Sequence, residues 1–495
     1  MSTQQDVYGS LGQKRKKFIN WQARTILVSM LGYAMFYFVR KNFSLAMPGL
    51  TGEYGISNKS FGWILFFGSL IYGTSRFING YVVDRVKSHI VMALGLFLCA
   101  MANFAFGFSV NISALITGAE SGPDFTSMLI LFMGIVIILN QYCQGMGYPP
   151  CARILPHWIH PSELATKMSI WNTSHSVGAA FAVIVCGTIM GSLGTDMSAN
   201  ADVVARIAEN LTNNNVADAS TQALNYAAHI GAWKWCFWIP AIIALCGSVF
   251  VLMGLRDEPK DAGLPDLPGT SLGKIDVQNK KDRKKFEMEM VWKNRWVWTF
   301  CIANLFVYVV RMGILDWGPK FLTESRGLDI SEAGWTVAAF EIAGIVGTLF
   351  AGWATDHIFK GKGHHMCVAC MAGAALFMFI FRCLPGNASL TLTAAVLVGA
   401  GFCVYGPQAL IGIELGKQAT KEASARANGI AGILGYIGSG LSGLLVGYVA
   451  DIYGWTRVFE TIIVVAIVGM LILISMWKAP RDGYERASKI NYEEE

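Results

Sequence analysis

Charge is scarce in this sequence. Asp, Glu, Lys and Arg make up 15% of its 495 residues, against about 25% in an ordinary soluble domain. A chain this sparsely charged lacks the polar coat of a water-soluble body. No nucleic-acid partner is expected. Cysteine is present but unorganised. The 11 residues are scattered, several inside apolar runs (Cys99, Cys143, Cys403), without metal-ligand spacing or a paired framework. They read as reduced packing residues, and no metal site follows from them. There is no Walker loop, so nothing points to an ATP-driven pump, and no motif asks for a cofactor or for enzyme chemistry. The polar segment Met1 to Arg24, with its run Lys14, Arg15, Lys16, Lys17, is not followed by a short apolar core and a small-residue cleavage site. The first hydrophobic stretch is therefore expected to be a retained helix.

What the chain has instead is apolar length. Apolar residues make up 54%, and glycine, at 53 residues, is abundant, as it is in membrane helices. Stretches of about 20 apolar residues, each able to cross a hydrocarbon core of about 30 Å, recur from Thr25 to Trp477. Their backbone polar groups must be satisfied without water, which makes them helices. Spans are predicted near 25–47, 61–83, 90–110, 127–151, 166–190, 233–254, 295–317, 333–353, 366–383, 389–414, 426–449 and 456–477. The expected fold is an all-α membrane protein with twelve transmembrane helices in two pseudo-symmetric six-helix bundles. Its expected parts are an N-terminal segment 1–24, a bundle 25–254, a central linker 255–294, a second bundle 295–477 and a tail 478–495. The linker carries Pro259, Pro265 and Pro268 and then the charged run Lys280-Lys281-Asp282-Arg283-Lys284-Lys285. An even number of spans puts both termini on one side. Arg85 and Lys87, Lys360 and Lys362, and Lys417, Lys421 and Arg426 all fall in loops on that side, whereas loops 111–126 and 384–390 are nearly free of Lys. The positive-inside rule then places termini and linker in the cytoplasm. The outer loop 191–232 contains a polar, helix-compatible run, Val203 to Asn210, to which no chemistry is assigned.

The two halves echo each other in the same order and orientation, as in transporters built from parallel repeats. Tyr37-x-x-Arg40 recurs as Tyr308-x-x-Arg311, and Gly80-Tyr81-Val82-Val83-Asp84-Arg85 recurs as Gly352-Trp353-Ala354-Thr355-Asp356-His357. Tyr148-Pro149 corresponds to Gly406-Pro407 at a shorter offset.

Against the general scarcity of charge, four cations stand within spans: Arg40, Lys41, Arg76 and Arg311. A charge at such depth is costly and normally faces the bundle interior or a water-filled cavity. Tyr33, Tyr37 and Arg40 stand at i, i+4 and i+7, and Asn304, Tyr308 and Arg311 repeat that spacing, so each set forms one polar stripe. The repeat puts Arg40 and Arg311 at matching depths, where two guanidinium forks converge. A guanidinium stays charged and matches phosphate oxygens bidentately, which favours a tetrahedral dianion as ligand. The competing expectation is that each arginine is neutralised by a buried acid, with Asp316, Glu341 and Glu414 as candidates.

His175, in Trp171-Asn172-Thr173-Ser174-His175, shares a face with Asn172 and could gain charge when a dianion arrives; alternatively it is a neutral residue holding a helix contact. Lys41 and Arg76 supply a positive field or pair with acids. Tyr405, before the Gly406-Pro407 break, is a candidate for the cavity wall. Gly80, Asp84 and Arg85, with Asp356 in the second half, read as a conformational latch in which Asp84 caps a neighbouring helix and Arg85 pairs across the bundle. Glycines 429, 432, 435 and 438, with Gly443-x-x-x-Gly447, allow close helix approach.

At these residues the sequence resembles the organophosphate:phosphate antiporters of the major facilitator superfamily. The stretches that carry the resemblance are Gly32 to Phe43, Gln144 to Cys151, Trp171 to His175, Val307 to Trp317 and Tyr405 to Gln408. It extends over nearly the whole chain and looks closest to glycerol-3-phosphate transporters, with hexose-6-phosphate transporters and their sensor relatives next. The resemblance implies that Arg40 and Arg311 bind the phosphate, that His175 assists, that Tyr33, Tyr37, Asn172, Tyr308 and Tyr405 line the pathway, and that exchange runs against inorganic phosphate. Arg76 stands where the glycerol-3-phosphate branch has Lys, and Gln408 is more like the hexose-phosphate branch. The expected function is rocker-switch import of an organophosphate, glycerol 3-phosphate first, in exchange for inorganic phosphate, by a monomer in a bacterial inner membrane. Hexose 6-phosphate or phosphoglycerate is the alternative substrate. Readings of other classes are a membrane sugar-phosphate sensor signalling to a kinase and a proton-coupled carboxylate transporter.

Overall fold

The computed structural model describes residues 12–83, 85–216, 218–265, 280–385, 388–480, 482–488 and 490. These residues are helical almost throughout; among them the β-type pairing is one isolated bridge between Thr195 and Ile230. Ten stretches are long and apolar enough to cross a membrane. The last, Arg426–Ile474, folds back at Gly454 (φ 75°, ψ 172°) and supplies two spans. The first helix, Gly12–Tyr54, carries too many polar residues to qualify by hydropathy but runs through the bundle as the first span. The architecture is thus the expected twelve-helix membrane fold.

The later spans are Asn58–Val82, Ser88–Gly107, Pro123–Gln144 continued by Tyr148–Trp158, Pro161–Asn172 continued by Ser174–Met190, Ala232–Gly254, Arg295–Arg326, Ile330–His357, Gly363–Cys383, and Leu390–Thr420 before the final pair. Several helices run past the predicted limits, and four are fixed at their starts by side-chain caps. Ser57 accepts a hydrogen bond from the Ser60 amide, Asn294 from Trp296, Asp329 from Ser331 and Ser389 from Leu392, each satisfying a donor that the helix leaves free. Thr420, at φ 60° and ψ 171°, separates the tenth and eleventh spans. The outer loop forms the expected helix, Ala201–Asn213, and a second one, Ala219–Ala227. Lys280–Glu287 of the linker is also helical.

Spans of the two halves close on each other at the end that carries loop 191–232. A methyl group at Gly62 would lie 2.7 Å from the Gly443 carbonyl oxygen, and one at Gly334 would lie 2.9 Å from that of Val183. Glycine is needed there because the backbones touch. Polar links join the same end. Asp451 accepts from the Asn58 and Lys59 amides at 3.0 and 2.7 Å, and Glu324 from the Trp455 indole at 3.0 Å. Asn210 and Gln222 of the outer loop donate to the carbonyls of Gly52 and Glu324. At the end that carries the central linker, a methyl group at Gly80, Gly352, Gly429 or Gly432 would meet nothing within 4 Å. The molecule is shut at the end that carries loop 191–232 and spread at the end that carries the central linker.

Candidate substrate-binding site

The site begins with a defect in the first helix. Val39 leaves helical geometry (φ −93°, ψ 15°) one residue before Arg40. Its carbonyl, freed from the helical ladder, accepts from Asn103 at 3.2 Å and Asn140 at 3.0 Å. One turn earlier, the Phe36 carbonyl accepts from Gln144 at 2.9 Å. Side-chain amides inserted into the ladder are a recognised cause of kinks, and here they fix the turn that presents Arg40. The fifth span tightens into a turn of helical φ/ψ at Thr173 (φ −64°, ψ −20°), between Asn172 and His175, and the fourth does so at Gly145–Gly147, before Tyr148.

The kink and these turns surround a cavity at mid-span. Tyr33, Tyr37, Arg40, Lys41, Arg76, Asn172, His175, Tyr308 and Arg311 all line it, so nine of the residues singled out in the sequence meet in one place. Tyr148, Met312, Leu315, Gln408 and Tyr436 complete the wall, and no Asp or Glu is among the lining residues. A second cavity adjoins it. Asn172, His175 and Gln408 belong to both, while Tyr405 lines the second.

The four cations differ in how they are balanced. Lys41 donates to Asp316 at 2.6 Å, joining the first and seventh spans. Arg311, almost fully buried, donates to the Tyr405 hydroxyl at 3.0 Å, lies over that ring, and sits 3.7 Å from Glu341, beyond hydrogen-bond length. Arg40 lies 4.1 Å over the Tyr72 ring and 5.6 Å from that of Tyr37. Arg76 donates to the Tyr436 hydroxyl and lies 4.3 Å over the Tyr148 ring. Among the described residues no carboxylate forms an ion pair with Arg40 or Arg76, which are surrounded by tyrosine faces and, for Arg76, the Tyr436 hydroxyl. Of the three candidate acids, Glu414 lies elsewhere, 2.6 Å from Lys417 and 3.5 Å from His364. Two carboxylates therefore stand against four cations around the cavity.

His175 holds the junction of the two cavities. Its Nδ1 donates to the Asn172 carbonyl, and its Nε2 lies 3.2 Å from the Ser176 hydroxyl. The ring also lies beside that of Tyr37. Tyr33 stacks on Trp171, which donates to Ser29. Tyr72, Tyr436 and Tyr148 were missed as site residues. Tyr72 precedes Arg76 by one turn, a spacing that puts both on one face, whereas Tyr436 has no local signal in its glycine-rich helix.

Some predicted residues stand elsewhere. Asn304 is turned away from the cavity and donates to the Ala431 carbonyl at 2.8 Å, tying the seventh span to the eleventh. Arg85 does not cross the bundle. It lies over the Tyr81 ring and donates to its hydroxyl in the same turn. Asp84 lies outside the described residues. Asp356 is exposed, and Gly80 has open space around it. The third span is capped by Asp257, which accepts from the Ser88 and His89 amides at 2.7 and 2.9 Å and from the His89 ring at 2.8 Å. Burial raises the Asp257 carboxyl, but these donors outweigh it and hold the group below its ordinary value. Arg153 ties the same loop by donating to the Val83 and Val86 carbonyls. This cap comes from 169 residues downstream, so no local pattern announces it.

Residues 29–414 and 317–494 match the Major Facilitator Superfamily profile. The chain is 34% identical to the glycerol-3-phosphate transporter of Bacillus subtilis (strain 168) over 453 residues, 90% of each protein. It is 29% identical to the probable hexose phosphate transport protein of Chlamydia pneumoniae, over 94% of this chain and 93% of that one. It is also 29% identical to the membrane sensor protein UhpC of Escherichia coli (strain K12), over 93% and 94%. A bacterial homolog of the human lysosomal transporter Spinster, solved in an inward-facing and unoccupied conformation, superposes with a TM-score of 0.65 over 92% of this chain and 98% of that one at 16% identity, a likeness of fold. With its twelve spans and its buried cations enclosing one cavity, the chain belongs to the Major Facilitator Superfamily, in the group that includes the glycerol-3-phosphate and hexose phosphate transport proteins.

Proposed function

We propose that the protein is an antiporter that imports an organophosphate, glycerol 3-phosphate being the leading candidate, in exchange for inorganic phosphate. The observation that carries this reading is the charge balance of the cavity. Lys41 has Asp316, and Arg311 has Glu341 at 3.7 Å, but among the described residues Arg40 and Arg76 have no ion-paired acid of their own. The surplus of two positive charges complements a dianion, and phosphate and its monoesters are dianions near neutrality (second pKa about 6). A monocarboxylate would leave one surplus charge unmatched.

Arg40 and Arg311 face the phosphoryl group from opposite halves, bundles 25–254 and 295–477, and His175, whose Nδ1 is engaged by the Asn172 carbonyl, adds a donor at Nε2 once the ring gains a proton as the dianion arrives. Anion binding draws the halves together and makes the occluded state accessible. Without an anion, the unbalanced guanidinium groups resist that approach, so the empty carrier returns slowly and transport is obligatory exchange. Phosphate leaving down its gradient then drives entry of the ester. In this arrangement the spread end, with both termini and the linker, faces the cytoplasm, and the protein acts as a monomer in a bacterial inner membrane. The kinship with transport proteins for glycerol 3-phosphate and for hexose phosphate supports the substrate class. The kinship with a membrane sensor keeps one second reading in view, binding and signalling without transport.

Counterflow decides between them. Proteoliposomes loaded with inorganic phosphate are offered labelled glycerol 3-phosphate, glucose 6-phosphate and 3-phosphoglycerate. Rapid uptake of one ester that requires internal phosphate is the expected result and names the substrate. Specific ester binding without exchange of any ester or of phosphate supports the sensor and overturns the antiporter.

A further inference from the structure

Gln408 lies on the tenth span, three residues beyond Tyr405, and lines both cavities. Its Oε1 is buried and accepts no hydrogen bond from any described residue. A buried polar atom without a partner costs about 1–3 kcal/mol, and an unmatched group in a binding cavity points to what the ligand has to supply. The Arg311 Nε is buried and unmatched in the same region. Among the residues that line the two cavities these are one unfilled donor and one unfilled acceptor; the unpartnered oxygens of Glu341 lie beside Arg311, outside the lining.

The two unfilled groups ask for different atoms. The phosphoryl oxygens of a dianionic monoester are acceptors only. They match the guanidinium, and an amide oxygen repels them. What Gln408 Oε1 can receive is an O–H, which such an ester carries only on its organic part. Two hydroxyls of the second cavity already have partners within the protein, unlike the Gln408 oxygen. The Thr348 hydroxyl already donates to the Gly344 carbonyl at 2.9 Å, and that of Thr173 to the Ile170 carbonyl at 2.8 Å. Ile345, Leu349 and Ile413 add an apolar wall, suited to the C–H face of a short polyol or a sugar.

We infer that Gln408 is the residue that reads the organic moiety, accepting a hydrogen bond from a hydroxyl of a polyol or sugar phosphate whose phosphoryl group lies between Arg40 and Arg311. The inference rests on the organophosphate reading above and deepens it. The phosphate clamp recognises any monoester, and Gln408 selects those with a hydroxylated carbon chain.

The test compares esters that share the phosphate and differ in hydroxyl groups. Glycerol 3-phosphate, glucose 6-phosphate and propyl phosphate, which has no hydroxyl, compete with labelled phosphate for exchange by wild type, Gln408→Leu and Gln408→Met in proteoliposomes. The wild type is expected to prefer a hydroxylated ester over propyl phosphate. That preference, taken as a ratio so that any general loss cancels, is expected to fall about tenfold in both variants, the effect of one lost hydrogen bond to a substrate hydroxyl. An unchanged ratio in variants that still exchange phosphate overturns the inference. So does a wild type without preference, or variants that no longer exchange phosphate at all, since Gln408 then serves the clamp itself. Absence of phosphate exchange by the wild type is a separate result: it removes the antiporter reading before any substitution is made.

Discussion

Arg40 and Arg311 occupy corresponding positions in the two halves, 271 residues apart, and face one cavity, yet their surroundings differ. Arg40 rests on tyrosine faces and has no ion-paired acid among the described residues. Arg311 has Glu341, fully buried, at 3.7 Å and a hydrogen bond to Tyr405. A repeat conserves where a charge stands without conserving what balances it. The first half offers a bare cation, and the second offers one with a resident counterion that the ligand must share.

Removing each arginine tests this difference most severely. Arg40→Ala and Arg311→Ala are each expected to slow phosphate–ester exchange by a factor of about 10²–10³, the loss of a buried charge-assisted contact worth about 3–4 kcal/mol, read by counterflow. Only Arg311→Ala also strands a buried carboxylate, a defect worth about 3–5 kcal/mol. Its melting temperature in detergent is therefore expected to fall while that of Arg40→Ala stays near wild type, and Glu341→Gln added to Arg311→Ala should restore it. Equal melting temperatures for the two alanine variants would erase the distinction between the halves.

The next effect is smaller. Arg40→Lys and Arg311→Lys keep the charge and lose the fork, so exchange is expected to fall at least tenfold in each, by about 1.5 kcal/mol or more. A carboxylate carrier would tolerate Arg311→Lys. Glu341→Gln alone frees Arg311 of its counterion, and phosphate is expected to bind several-fold tighter by isothermal titration, with slower turnover because release is harder. Tyr405→Phe removes one hydrogen bond to Arg311, worth about 1 kcal/mol, and should weaken phosphate binding a few-fold. Tyr72→Phe keeps the ring face under Arg40 and should change binding by less than twofold.

The spans and the cavity were legible in the sequence for the same reason. In lipid, apolar length and rare charge each have few meanings, so Arg40, Lys41, Arg76 and Arg311 stood out against the apolar background, and the stripe from Tyr33 to Arg40 fixed which face they share. Legibility failed where a partner comes from far along the chain. Asn304 has the spacing of a cavity residue, but its amide finds the Ala431 carbonyl. The cap of the third span, Asp257, lies 169 residues beyond the amide it serves and was not marked. The kink at Val39 has no signal of its own, since its cause lies in Asn103 and Asn140 on two other helices.

By itself, then, the sequence determined the membrane-spanning helices, their number and the depth of the buried cations. Those follow from local rules: backbone hydrogen bonding without water, and the cost of a charge in a hydrocarbon layer. Only the tertiary structure decided which acid belongs to which cation and which end of the molecule is shut. Asp316 is assigned to Lys41 across a separation of 275 residues, and Asp451 to the start of the second span across 393. Electrostatic pairing falls off over a few ångströms, so it is settled by how the helices cross, and no local pattern along the chain records that distance.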